Sequence, residues 1–235
     1  MKTTKQKNIL ITGASSGIGK AACELLLAQG HKVTSIARRE TDIEHINHQS
    51  LTCDLADLKR LPEFLESLVK KNPQIDTLVC NAGRGQFASL EEFSYEQIQQ
   101  LMDLNFTSHA FMTRAIVPIM KRNRSGRIIF MGSEAALQGS RMGSIYCASK
   151  FAIRGLAQAL RDECSKSGIQ VSLINPGMVR SEFFSDLSFA HGDEETHYIE
   201  VEDVARAIQF VIDSRQGTVI DEINLSPLKH VVQSK

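Results

Sequence analysis

The stretch NILITGASSGIG (residues 8–19) decides the reading of this chain. Its first five residues are mostly apolar and end in Thr12, as a short buried strand would. Glycines follow at 13, 17 and 19, and then Ile18, Ala21, Ala22, Leu25 and Leu26 fall at helical spacing. A strand that hands over to a helix through small residues is built for a pyrophosphate. Small residues let the backbone approach, and the helix start offers free N–H groups and a positive dipole end. The spacing is GxxxGxG, not GxGxxG, so its place between strand and helix is what separates a cofactor loop from a plain glycine turn. Gly13, Gly17 and Gly19 are the candidate contacts of this loop.

Working outward, strand-like and helix-like segments alternate. Strands are expected at 8–12, 32–37, 51–54, 75–80, 127–132, 170–174 and 217–224. Helices are expected at 17–29, 58–71, 95–122 (with room for a break), 145–167 and 203–214. β-branched strands alternating with amphipathic helices predict a parallel sheet covered on both faces. The expected fold is α/β: a single Rossmann-like, doubly wound domain over 1–235, with about seven strands. Residues 178–200 are the one irregular segment, rich in charge and Ser, and a loop of that size suggests a lid or a disordered insertion, of which the substrate lid is the expectation here.

The bulk numbers narrow the function classes. Lys plus Arg and Asp plus Glu both total 27, so no global field argues for nucleic acid or an anionic membrane. No apolar run approaches the ~20 residues of a membrane span, and the apolar run after the basic start is too short for a secretion signal. The odd set Cys23, Cys53, Cys80, Cys147 and Cys164 contains no CxxC, which reads as free thiols in a reducing compartment, the cytoplasm.

The second expected strand ends Ser-Ile-Ala-Arg-Arg at 35–39. A carboxylate there would hold a ribose 2′-hydroxyl and repel a 2′-phosphate. Ala37 stands instead, followed by Arg38 and Arg39, and guanidiniums bind phosphate in bidentate fashion. The expected cofactor is therefore NADP(H).

Ser144 to Lys150 reads SIYCASK, which sets Tyr146 and Lys150 four residues apart on one helical face. Carbonyl reduction needs a proton for the oxygen as hydride reaches carbon. A phenol near pKa 10 is too weakly acidic to act as a base near neutrality, and a neighbouring ammonium is expected to lower it.

Together TGASSGIG, Cys80-Asn-Ala-Gly83, Asn105, Ser133 and YCASK resemble the short-chain dehydrogenase/reductase family, in its motif order and over nearly the whole chain. The resemblance implies a carbonyl/alcohol oxidoreductase with Tyr146 as general acid/base. Lys150 would also bond the nicotinamide ribose, Ser133 would hydrogen-bond the substrate oxygen, and Asn105 would anchor a proton-passing water. It also implies Ser15, Ser16 and Ile18 beside the glycines of the phosphate loop, Asp54 and Leu55 at adenine, Asn81, Ala82 and Gly83 beside the adenosine ribose, and Pro176, Gly177, Val179 and Ser181 at the carboxamide. Family members often pair through two helices, here 102–120 and 146–160, so a homodimer or homotetramer is implied. Ser181 stands where the family has Thr, Cys80 replaces the first Asn of NNAG, and the close after the last strand is DEINLSPLK instead of the family's Asp-Gly-Gly.

Other features weigh less. His45, His48, His191 and His197 lack the further ligands a metal would need, so no metal is expected. Cys147 reads as packing and Glu134 as a helix-start carboxylate. Phe183, Phe184, Leu187 and Phe189 in the expected lid suggest an apolar or aromatic carbonyl substrate. The rival reading is a non-catalytic NADP-binding sensor or scaffold, which has no need of the tyrosine.

Overall fold

A computed structural model describes residues 6–235; the basic start at 1–5 lies outside the described residues. In chain order the elements are β1 (Asn8–Thr12), α1 (Gly17–Ala28), β2 (Lys32–Ala37), β3 (His48–Thr52), α2 (Leu61–Lys71) and β4 (Thr77–Cys80). Next come α3 (Tyr95–Met102), a π-helical turn over Asp103–Thr107, α4 (Ser108–Asn123), β5 (Gly126–Met131) and α5 (Ser144–Ser165). The remainder holds β6 (Ile169–Pro176), β7 (Val179–Arg180), β8 (Phe189–His191), β9 (Ile199–Glu200), α6 (Val201–Asp213), β10 (Glu222–Leu225) and β11 (Val232–Ser234).

Seven strands form one parallel sheet in the order β10-β6-β5-β4-β1-β2-β3. Successive strand residues feed opposite faces, and both faces are covered. Leu10, Leu78, Ile128, Phe130 and Leu173 pack with the apolar sides of α2, α4 and α5. Ile9, Ile11, Val79, Ile129 and Ile174 pack with α1 and α6. Arg127, buried in β5, donates to the Val211 and Ser214 carbonyls and so satisfies the end of α6 with a positive charge. The chain winds outward from β1 to β3 and returns to β4, so the order reverses between β1 and β4. Ligands of open α/β sheets bind beyond the strands' C-terminal ends at such a reversal.

Several boundaries differ from expectation. The third strand lies at His48–Thr52, not 51–54, because its pairing with β2 runs from Val33↔His48 to Ala37↔Thr52. As an edge strand with the polar sequence HQSLT, it carries no periodic signal. The last sheet strand is confined to Glu222–Leu225, where β6 offers partners from Leu173 to Pro176. The long helix is interrupted by the π turn that contains Asn105. The segment 178–200 is not an irregular loop: β7 pairs with β9, and β8 pairs antiparallel with β11.

Candidate active site

The loop after β1 is tied down before it reaches any ligand. Buried Thr12 accepts at Oγ1 from the N–H groups of Asn81 and Ala82, both at 3.0 Å. Asn81 Nδ2 donates back to the Thr12 and Gly13 carbonyls at 2.9 and 3.2 Å. Gly13 has φ +72°, and a Cβ there would lie 2.8 Å from the Ala82 backbone. A Cβ at Gly19 would lie 2.2 Å from the Gly13 carbonyl oxygen, so two glycines are dictated by contact.

The first turn of α1 holds no acidic residue, and the Ser16 side chain does not cap it. Its N–H groups and positive dipole end stay available to an anion. Across the cleft, a Cβ on Gly17 would come within 3.6 Å of Ser181, so the glycine loop and the turn after β6 face each other. Ser15 and Ile18 sit half-buried on the same loop.

At the end of β2, Arg38 and Arg39 are exposed, and among the described residues neither enters an ion pair. Asp54 is exposed and accepts from the Ala56 N–H at 3.0 Å. Leu55 is buried in the core, so only its backbone can face a ligand. Gly83 is exposed, and a Cβ there would lie 3.2 Å from Asn105 Oδ1 and 3.7 Å from Lys150 Nζ. Pro176 ends β6, the Gly177 N–H donates to the Leu225 carbonyl at 2.8 Å, and Val179 is buried. The glycine cradle, the uncapped helix start and the two free guanidiniums fit a phosphorylated dinucleotide.

The reactive groups gather beyond β5. Ser133 accepts at Oγ from the Ala135 N–H at 3.2 Å, which aims its own proton away from that turn. It neighbours Tyr146, which is 6% exposed. Burial pushes the phenol up to about 12; the nearby Ser133 hydroxyl acts in the opposite sense, and Cys147 and Glu134 add to the rise. Lys150 is also buried, its Nζ donating to the Met131 carbonyl at 3.0 Å, and burial pulls it down to about 8.

The phenol's shift therefore runs opposite to the lowering expected from the lysine. Lys150 Nζ lies 5.8 Å from the ring centroid and is turned to Met131, while loss of water acts on both groups. Nothing in a Tyr-x-x-x-Lys spacing reports that burial.

Asn105 is wholly buried in the π turn. Its Oδ1 accepts from the Arg84 N–H, and Nδ2 donates to the Arg84 carbonyl and to Ser149 Oγ, at 3.0, 3.0 and 3.1 Å. Its side chain thus ties the loop after β4 to α5.

Two residues with no motif signal also shape the site. His109, one helical turn beyond Asn105, reaches the Ala82 carbonyl through Nε2 at 2.7 Å. Burial, then the Lys150 charge, hold it at about 4, so it is neutral. Phe87 packs on Tyr146 at 5.1 Å between centroids and on Phe189 at 5.0 Å. Phe183 also packs on Tyr146 at 6.0 Å, and Phe184 meets Phe183 and Phe189 edge-on at 5.2 and 5.9 Å.

Cys147 is buried beside Tyr146, Leu101 and Ala135. Glu134 starts a short turn and lies 3.4 Å from His230. The His48 ring is engaged by Ser35 and the Ile43 carbonyl, and among the described residues no group of three or more His, Cys, Asp or Glu is placed to hold a metal. No described helix is long and apolar enough to cross a membrane.

A family model described as short chain dehydrogenase matches residues 7–190. The sepiapterin reductase of Chlorobaculum tepidum is 30% identical, over 96% of this chain and 98% of its own. The NADP-dependent 3-hydroxy acid dehydrogenase of Schizosaccharomyces pombe is 33% identical, over 94% of this chain and 92% of its own. Among solved structures, a short-chain dehydrogenase from Streptomyces avermitilis superposes with a TM-score of 0.83 at 26% identity, covering 94% of this chain and 89% of its own. The closed form of serine dehydrogenase complexed with NADP+ gives 0.81 at 26% identity, covering 93% and 94%.

Proposed function

Because the chain belongs to the short chain dehydrogenase family, we propose that it is an NADP(H)-dependent oxidoreductase interconverting a carbonyl compound and its secondary alcohol, with Tyr146 as general acid/base. When bound, the nicotinamide supplies or accepts the hydride. The free N–H groups of α1 and residues Gly13, Ser15, Ser16, Gly17, Ile18 and Gly19 would hold the pyrophosphate. Arg38 and Arg39 would hold the 2′-phosphate, with Asp54, the Leu55 backbone and Asn81 to Gly83 on the adenosine side. Pro176, Gly177, Val179 and Ser181 would meet the carboxamide. A relative named as NADP-dependent and a structural neighbour that binds NADP+ support this choice, as do the two unpaired guanidiniums.

The observation that carries the reading is the buried Tyr146 phenol, beside the Ser133 hydroxyl and backed by the buried amine of Lys150. A phenol held at about 12 keeps its proton at neutral pH and can give it to a carbonyl oxygen. Ser133 donates to that same oxygen and stabilises the charge that develops there. Lys150 binds the ribose and helps return a proton to Tyr146, while Asn105 acts as a positioning residue between Arg84 and Ser149.

Residues 178–200 form the lid, whose Phe183 and Phe184 exclude water from the phenol. The outward sides of α4 and α5, with half-buried Val117, Leu156 and Leu160, are the proposed contact of a homodimer or homotetramer. Five free thiols suit the cytoplasm.

The test is NADPH oxidation over a panel of aromatic and aliphatic ketones and aldehydes, run beside Tyr146→Phe. Loss of about 10²- to 10⁴-fold in rate with cofactor binding retained is expected. Activity that survives the substitution would remove Tyr146 from the chemistry and favour a different proton donor.

A further inference from the structure

Glu134 directly follows Ser133, and its carboxylate is not neutralised by any lysine or arginine among the described residues. Its Oε2 lies 3.0 Å from where a Cβ on Gly177 would stand, so it borders the turn after β6 on the reacting side. Its polar neighbour is His230 at 3.4 Å, and both side chains are about half exposed, so the pair lies at the edge of the site. The rings of Phe87 and Phe183 pack on Tyr146 in the same site.

A substrate whose carbonyl oxygen meets Ser133 and Tyr146 therefore places its next substituent within reach of a carboxylate. We propose that Glu134 is a specificity-determining residue that turns away substrates with a carboxylate next to the reacting carbonyl and accepts aryl ketones whose neighbouring group is neutral or a hydrogen-bond donor. The assignment rests on the carbonyl reductase reading above. Its physical basis is like-charge repulsion in a site that burial has partly dried. The same carboxylate raises the pKa of the Tyr146 phenol, which places its field at the reacting oxygen. Aromatic walls favour a planar ring beside the carbonyl.

The probes are methyl benzoylformate and benzoylformate, which differ in one charge beside the same ketone. Reduction takes the ketone to the secondary alcohol and oxidises one NADPH, with hydride going to carbon and the proton to oxygen. The ester is intrinsically the better hydride acceptor, so the decisive quantity is the ester-to-acid ratio of kcat/KM in wild type against Glu134→Gln. A fall in that ratio on the order of 10-fold is expected, allowing for screening of a half-exposed charge. Glu134→Asp should restore part of the discrimination.

The same two ligands are titrated by calorimetry into wild type and Glu134→Gln saturated with NADP+, which needs no turnover. Tighter binding of ester over acid in wild type, narrowed in the variant, supports the assignment even if neither ketone is reduced; the reductase reading itself falls only if the wider carbonyl panel is also inert. An ester-to-acid ratio unchanged by Glu134→Gln, in turnover or in binding, overturns the role of Glu134.

Discussion

Replacing Lys150 by Met should make the protein more stable while removing its activity. The amine is 5% exposed, and burial draws it from an ordinary 10.5 to about 8. Holding an ammonium at about 8 costs the folded state about 3 kcal/mol at neutral pH, at ~1.4 kcal/mol per pH unit. Against this stands the bond from Nζ to the Met131 carbonyl at 3.0 Å, whose loss costs about 1–2 kcal/mol. Methionine keeps the length and most of the volume of the side chain, so no large cavity opens. The net expectation at pH 7 is a gain of about 1–2 kcal/mol, or about 2–8 °C in Tm for a chain of this size.

The pH dependence has a fixed sign. With the folded value below the unfolded one, the native state binds fewer protons between about 8 and 10.5, and wild-type stability rises across that window. The variant lacks that rise, so its advantage shrinks as pH approaches 10.5. Urea melts of both proteins at pH 7 and pH 10 measure the two quantities. A Met variant no more stable than wild type at pH 7, or an advantage that does not change with pH, would refute the reasoning.

Two further outcomes are expected. Arg38→Ala should weaken NADPH binding by roughly 10- to 150-fold, at about 1.5–3 kcal/mol for a charged hydrogen bond, and leave NADH little changed; titration of cofactor fluorescence measures both, and an equal loss for the two cofactors counts against a 2′-phosphate contact. His109 sits at about 4, below its ordinary 6.5, so its share of stability is present above 6.5 and is lost as pH falls through 4. His109→Gln should flatten the fall in urea midpoint between pH 6.5 and 4.5, and a variant that loses stability as steeply as wild type would show that another group sets that limb.

Elements with strong local patterns were legible in the sequence. The β1–α1 handover carried its glycines, its helical spacing and its position together, and the parallel sheet followed from it. β3 was misplaced because an edge strand of His, Gln, Ser and Thr is held by its neighbour β2, not by a buried face of its own. The strands within 178–200 were invisible for a related reason. β7 needs β9, and β8 needs β11, so each exists only through pairing with residues far along the chain.

At the site, residue types and spacing brought Tyr146 and Lys150 into view, because a helix fixes i and i+4 whatever surrounds it, while Ser133 came into view only through the family resemblance. What surrounds them was not readable. The sign of the phenol's shift depends on how much water Phe87 and Phe183 remove, and the duty of Asn105 depends on a π turn that aims its amide at Arg84. His109 and Thr12 act through backbone groups of Ala82 and Asn81, contacts for which a sequence offers no pattern.

The antiparallel partnership of Phe189–His191 with Val232–Ser234 also sets an order of events during synthesis. A ribosome synthesises the aromatic cover of the cleft about 40 residues, or a few seconds at ~5–20 residues per second, ahead of the strand that fastens it. Until the later segment emerges, Phe184 and Phe189 lack their tether, and the nascent chain offers greasy rings to any chaperone that scans for them.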